Sequence, residues 1–138
     1  METRIKSPID AVDLLRTVAK KNREHLGLIL LDSQFKVIGK KVLFVGSVNR
    51  CWANRRELLV YALRRDAVGC ILFHNHPSGN TEPSDDDKKM TEDFFKGCEA
   101  VGIYLFDHII VSKTRYSSFK ELGILPESNK EANKGVAD

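Results

Sequence analysis

Apolar residues recur along the chain in two patterns, one typical of buried strands and one typical of amphipathic helices. Strand-like apolar runs occupy Glu24 to Asp32, Phe35 to Val45, Ala67 to Phe73 and Ile103 to Val111. Helical spacing follows Ser7-Pro8 as far as Ala19, marks a second segment that ends near Asp66, and begins again at Ser84. Because strand and helix patterns alternate, the sequence predicts an α/β fold in which helices cover a sheet.

Capping residues and turn formers indicate where the helices begin and end. Ser7 followed by Pro8 is a favourable start, since serine accepts hydrogen bonds from exposed backbone N–H groups and proline suits the first helical position. Gly102 is a favourable stop for the helix that begins at Ser84. After the last strand, the segment from Tyr116 to Gly123 is predicted to form a short helix.

The length and composition fit one domain without a membrane span. We assign residues 1–125 to this domain and predict that the polar residues 126–138 form a disordered tail. The longest apolar run, Leu26 to Leu31, is far shorter than the roughly 20 residues that cross a membrane. The first ten residues lack the apolar core of a signal peptide, so a cytoplasmic protein is expected. The three cysteines form no CxxC pair, which argues against a cysteine-ligated zinc.

Candidate metal ligands concentrate in residues 74–87, which read HNHPSGNTEPSDDD. His74 and His76 are two apart at the end of a strand and therefore face the same side. Ser84 and Asp87 are three apart and share one face of the first helical turn. Two imidazoles and one carboxylate form a three-ligand set, which in catalytic zinc sites leaves a fourth position for water. Alone, His-x-His is a weak signal and Ser84-x-x-Asp87 is equally a capping box, but together they favour a metal site.

The spacing of these residues is similar to that of a known enzyme family. The pattern His-x-His, seven residues, Ser, two residues, Asp resembles the signature of the JAB/MPN metalloenzyme domains, often called the JAMM motif. The strings HNHPSG, EPSDDD and DHIIV resemble the RadC branch, and the resemblance covers roughly Ile5 to Leu125. It implies a three-layer α/β fold with a mixed β-sheet flanked by helices, the JAB/MPN (cytidine deaminase-like) architecture.

The resemblance also implies an activity and residue roles. It implies a zinc metallohydrolase that cleaves a peptide or isopeptide bond with water activated by the metal. The implied zinc ligands are His74, His76 and Asp87. Glu24 is implied as the general base, although an isolated glutamate at a strand edge is more often a solvent-facing charge. Ser84 is implied as a hydrogen-bond donor to the oxyanion, with a plain helix cap as its alternative.

Asp107 and His108 are neighbours on the last predicted strand. Because neighbouring strand residues point to opposite faces, at most one of them can face the metal site. That residue would orient a zinc ligand through a hydrogen bond.

Two alternatives to the hydrolase belong to other classes of function. The first is a DNA-repair-associated RadC accessory module that binds or processes DNA. RadC proteins usually carry an amino-terminal helix-hairpin-helix region that the present residues lack, and the net charge of +3 predicts only non-specific DNA binding. The second is a binding scaffold, which is disfavoured because all five motif positions are filled. The expected partner is therefore a peptide or protein substrate and not a membrane, and a homodimer is compatible with the resemblance.

Overall fold

The computed structural model describes residues 2–46 and 55–128, which form a mixed five-stranded sheet between two layers of helices. The helices are α1 (Pro8–Leu14), α2 (Arg16–Ala19), α3 (Arg55–Arg64) and α4 (Asp85–Val101). The strands are β1 (His25–Leu31), β2 (Val37–Val45), β3 (Gly69–Asn75), β4 (Tyr104–Val111) and β5 (Tyr116–Ser118). Most of the predicted tail, residues 129–138, lies outside the described residues, so its disorder stays a prediction.

The strands lie in the order β2-β1-β3-β4-β5. Strands β3 and β4 are parallel, and every other neighbouring pair is antiparallel. Helix α4 supplies the crossover that a parallel pair requires, because the chain must return to the starting edge of the sheet. The mixed sheet flanked by helices confirms the predicted fold class.

Alternating side chains give the sheet two buried faces. One face packs against α3 and α4 through the residues Leu28, Leu72, Leu105, Leu58 and Phe94. The opposite face packs against α1 and α2 through the residues Ile29, Phe73, Ile109, Ala11 and Leu15. Strand β3 therefore directs every second side chain towards α4, and this alternation decides which of its last residues reach the site.

The predicted helix starts and stops are largely confirmed. Ser7 forms a capping box ahead of α1, and Ser84 forms one ahead of α4. Gly102 follows α4 in the left-handed region at φ 77°, which glycine adopts without a steric penalty. The first predicted helix is divided at Leu15, where φ is −107° and ψ is 13°, so that α1 and α2 are separate.

The predicted helix from Tyr116 to Gly123 is wrong. Its first three residues form β5, which pairs antiparallel with the end of β4. A tight turn at Ser112 leads into this hairpin: the Ser112 amide donates to the Arg115 carbonyl at 2.9 Å. Helical geometry is limited to a turn after β5, in which the Leu122 amide donates to the Ser118 carbonyl at 3.0 Å. Tertiary pairing with β4 thus overrides the local helical preference.

No helix within residues 2–46 and 55–128 is long and apolar enough to cross a membrane.

Candidate metal centre

Two imidazole rings face each other where β3 ends. The Nε2 atoms of His74 and His76 lie 2.9 Å from each other. His74 lies on the α4 side of the sheet, and His76 lies just beyond the end of the strand. His74 is fully buried, whereas the side chain of His76 keeps 14% of its surface exposed. The Nδ1 atom of His76 lies 2.7 Å from the Asn80 carbonyl, which can only accept a hydrogen bond. The Nδ1 atom of His76 therefore carries a proton, and in the neutral ring the lone pair on Nε2 is available to a metal ion.

The carboxylate of Asp87 bridges the two imidazoles from the first turn of α4. Its Oδ1 lies 3.2 Å from the Nε2 atom of His74, and its Oδ2 lies 3.2 Å from the Nε2 atom of His76. The capping box holds this side chain in place, because the Ser84 amide donates to Oδ2 at 2.9 Å. Burial leaves Asp87 only 1% exposed, so the carboxylate is directed at the two rings and not at solvent.

The spacing of these three groups fits a tetrahedral zinc ion. Zinc bound to nitrogen or oxygen at about 2.0–2.1 Å sets neighbouring ligand atoms about 3.3 Å apart in a tetrahedron. The separations among His74, His76 and Asp87 are 2.9, 3.2 and 3.2 Å, which small side-chain adjustments bring to that value. Three protein ligands leave one tetrahedral position for water or substrate. The donor set therefore suits a catalytic metal centre.

Glu24 lies beside these ligands, immediately before β1. One carboxylate oxygen of Glu24 and one ring nitrogen from each of His74 and His76 all lie within 4.8 Å of one another, so the three can hold a metal ion. The Glu24 backbone is secured by the Gly46 amide, which donates to its carbonyl at 2.8 Å. This separation would allow Glu24 either to bind a metal ion itself or to contact a molecule in the remaining coordination position.

Asn75 positions Glu24, a contribution that the sequence does not reveal. Its Oδ1 accepts from the His25 amide at 2.6 Å, and its Nδ2 donates to the carbonyls of Lys21 and Arg23 at 3.2 and 3.0 Å. These bonds join the end of β3 to the residues on both sides of Glu24. Asn75 points away from the candidate metal ligands, yet it ties the candidate base to the strand that carries His74. Because its partners are about 50 positions away, no local pattern indicates these contacts.

His108 and Asp107 point to opposite sides of β4, as expected for neighbours on a strand. His108 faces α4, and its Nε2 atom lies 2.8 Å from the Nδ1 atom of His74. Asp107 lies on the other face, where its carboxylate accepts from the Ser118 hydroxyl at 2.5 Å and the Lys120 amide at 2.9 Å. Asp107 thus anchors β5 and the following turn, and His108 alone contacts a candidate ligand.

Ser84 adjoins the centre through Asp87. Its Oγ accepts from the Asp87 amide at 3.0 Å, which uses only an acceptor lone pair of the hydroxyl. The side chain is exposed at the mouth of the site, so its O–H remains free to donate to a substrate. The capping role and the predicted oxyanion role are therefore compatible.

The surroundings of Asp87 and His76 shift the pKa values of both side chains. Burial would raise the pKa of Asp87, but hydrogen bonds with His74 and His76 outweigh it and hold that pKa far below its usual range. For His76, burial lowers the pKa, but the hydrogen bonds to Asp87 and the Asn80 carbonyl, together with the charges of Asp87 and Glu24, raise it overall. Asp87 is therefore ionised at neutral pH, and His76 holds a proton more strongly than an ordinary histidine.

Metal affinity is expected to weaken as the pH falls through the raised pKa of His76. The pKa of His76 is raised above 6.5, and its titrating proton occupies Nε2 because Nδ1 already donates to Asn80. A metal ion must displace this proton below that pKa, so affinity falls by at least about tenfold per pH unit there and levels off above it. Zinc titrations against a chromophoric chelator at a series of pH values measure this dependence. An affinity that stays constant as the pH falls below 6.5 contradicts the assignment of His76 as a ligand.

The chain is similar in sequence to proteins of a known family. Residues 5–124 match the family profile described as RadC-like JAB domain. Among the curated relatives, the UPF0758 proteins Spy49_0870 and spyM18_1079, both from Streptococcus pyogenes, are each 44% identical over 115 residues. The match covers 83% of this chain and 51% of each relative. The chain therefore spans about half the length of the curated relatives it matches.

Proposed function

The chain belongs to the RadC-like JAB family, and on this premise we propose that it is a zinc-dependent hydrolase that cleaves a peptide or isopeptide bond. The observation that carries the proposal is the convergence of His74, His76 and Asp87, with all three ligand-atom separations between 2.9 and 3.2 Å. Glu24 lies next to this set at a distance suited to proton transfer through a water molecule. Metal ligands combined with a neighbouring carboxylate are the groups that amide hydrolysis requires.

In the proposed reaction each side chain has one task. His74, His76 and Asp87 would hold the zinc ion, which when bound would supply Lewis acidity that lowers the pKa of water and polarises a carbonyl group. Glu24 accepts the proton from the attacking water and later delivers it to the leaving amine. Ser84 donates its hydroxyl proton in a hydrogen bond to the developing oxyanion.

An amide bond in a peptide or protein is the proposed substrate. Its leaving group is an amine, which needs a proton as the C–N bond breaks, and Glu24 holds the proton taken from water for that step. Ser84 lies exposed beside the buried ligands, so an extended chain can reach its hydroxyl from solvent. The substrate sequence is left to experiment, because the relatives are about twice as long and residues beyond this domain can contribute to selection.

A cleavage screen with metal removal tests the proposal. The purified protein is expected to contain about one zinc ion per chain, measured by elemental analysis. When it is incubated with a proteome-derived peptide library, mass spectrometry should detect new peptide termini. These termini should disappear after treatment with a chelator and return when zinc is restored. New termini that persist in the metal-stripped protein, or a protein that binds no zinc, would contradict the proposal.

The DNA-binding alternative predicts a different response of the protein to salt and to the removal of zinc. Non-specific DNA binding depends on Lys and Arg contacts with phosphates and weakens steeply as salt increases. Removal of zinc leaves those contacts in place. Salt-sensitive DNA binding that survives metal removal, without any peptide cleavage, would therefore favour the alternative.

A further inference from the structure

Three buried side chains from three elements form a continuous hydrogen-bonded chain that ends at His74. Thr91 on α4, His108 on β4 and His74 on β3 each have no exposed surface. The Oγ1 atom of Thr91 lies 2.6 Å from the Asp87 carbonyl oxygen and 2.6 Å from the Nδ1 atom of His108. The Nε2 atom of His108 lies 2.8 Å from the Nδ1 atom of His74. We call Thr91, His108 and His74 the relay.

The number of hydrogens at Thr91 sets the direction of the relay. A threonine hydroxyl has one proton, and a carbonyl oxygen can only accept. The short contact between Thr91 and the Asp87 carbonyl is attractive only if the hydroxyl donates that proton to the carbonyl. The equally short contact with His108 then requires a proton on the Nδ1 atom of His108, which donates to the Thr91 oxygen.

The same count continues from His108 to His74. A neutral imidazole carries one N–H, so a proton on the Nδ1 atom of His108 leaves a lone pair on its Nε2 atom. The ring of His108 has no exposed surface, and burial away from water disfavours a charged imidazolium. The lone pair of His108 accepts a hydrogen bond from the Nδ1 atom of His74. In neutral His74 the remaining lone pair is on Nε2, the atom that faces Asp87 and His76.

We propose that Thr91 and His108 are positioning residues that fix His74 in the one tautomer able to bind the metal through Nε2. The relay begins at the backbone carbonyl of Asp87, the residue whose carboxylate is itself a proposed ligand. The first turn of α4 therefore orients a ligand on β3 as well as supplying one. This inference rests on the metal site of the proposed function, and it assigns to Thr91 and His108 a role that the sequence motif does not contain.

Nuclear magnetic resonance of the histidine rings tests the direction of the relay. Long-range proton–nitrogen correlation spectra of the nitrogen-15-labelled full chain distinguish protonated from unprotonated ring nitrogens. In the metal-free native protein, His108 is expected to be protonated at Nδ1 and unprotonated at Nε2, and His74 is expected to be protonated at Nδ1. A His108 ring protonated at Nε2 in this spectrum would overturn the proposal, whether or not the protein later proves to bind zinc or cleave peptides.

Two variants of Thr91 test the consequence for metal binding. Thr91→Val removes the hydroxyl with little change of shape, so His108 should become a mixture of tautomers and the zinc affinity should fall by about 10- to 100-fold. Thr91→Ser keeps the hydroxyl, so the native tautomer and an affinity within about threefold of native are expected. Native-like zinc affinity in Thr91→Val would overturn the proposal, and so would an equal loss of affinity in Thr91→Ser. If Thr91→Val fails to fold, the ring tautomers of the native protein and the zinc affinity of Thr91→Ser still test the proposal.

Discussion

A Glu24→Gln protein is expected to keep its zinc and to lose its hydrolytic activity by about 10²- to 10⁴-fold, the usual contribution of general acid–base catalysis. Glutamine has nearly the shape of glutamate but cannot accept the proton from water. The segment that holds Glu24 should be unaffected, because its hydrogen bonds to Gly46 and Asn75 involve backbone groups next to the side chain and not the carboxylate.

Zinc content and peptide cleavage must be measured on the same Glu24→Gln preparation. The ligand atoms of Glu24, His74 and His76 lie within 4.8 Å of one another, so a direct metal contact by Glu24 is the competing explanation. If Glu24 is a ligand, zinc affinity falls together with activity. If Glu24 is the base, activity falls while zinc remains bound. A fully active Glu24→Gln protein contradicts both explanations.

Glu99→Gln is a matched control for this experiment. Glu99 is exposed near the far end of α4, about 18 Å along the helix axis from Asp87. The substitution removes the same charge and the same functional group, but at a distance where neither proton transfer nor metal binding is affected. Native activity and native zinc content are therefore expected.

Replacement of Asp87 by asparagine is expected to weaken zinc binding by more than about 100-fold. This loss exceeds the usual loss of affinity when a residue that only orients a metal ligand is replaced. The Asp87 carboxylate contacts both candidate histidine ligands, at 3.2 Å each. Asparagine keeps a carbonyl oxygen that can accept from the Ser84 amide, so the helix cap is retained. It lacks the negative charge that attracts the metal, and its amide group presents N–H donors towards the lone pairs of the rings.

Asp85→Asn separates this effect from a general change in the helix. Asp85 also lies in the first turn of α4 and is exposed. Its replacement removes the same charge from the same helix end, where acidic residues interact favourably with the helix dipole by about 0.3–1 kcal/mol. Competition titrations should show a native affinity for Asp85→Asn and the large loss only for Asp87→Asn. Equal affinities in the two variants would exclude the Asp87 carboxylate as a ligand.

Local sequence patterns predict where helices begin and end better than they predict which elements lie side by side. The capping boxes at Ser7 and Ser84 and the stop at Gly102 follow from side-chain chemistry within a few residues, and the structure contains all three. The local pattern from Tyr116 onwards wrongly predicts a helix, because the pairing of this segment with β4 is a tertiary contact that the pattern does not contain. A short segment takes its conformation from its partner when its own preference is weak.

The same division holds within the candidate centre. His74 and His76 share one side because strand side chains alternate, and Asp87 faces the interior because it lies three residues after the cap, so both features can be predicted from spacing. Asn75 and His108 make their contacts across about 50 and 34 positions of the chain. Their importance depends on which strands are adjacent, which no local pattern contains.

Residue order alone specifies the types of candidate ligand, their presentation at a strand end and a helix start, and the alternation that puts His74 and His76 on one side. The folded arrangement is needed to show that β4 lies parallel to β3, which puts His108 behind His74, and that Asn75 reaches the segment carrying Glu24. Side-chain periodicity and helix capping act over a few residues, whereas the hydrophobic burial that brings distant elements together has no preferred direction. The packing of the whole core must therefore choose which buried elements meet.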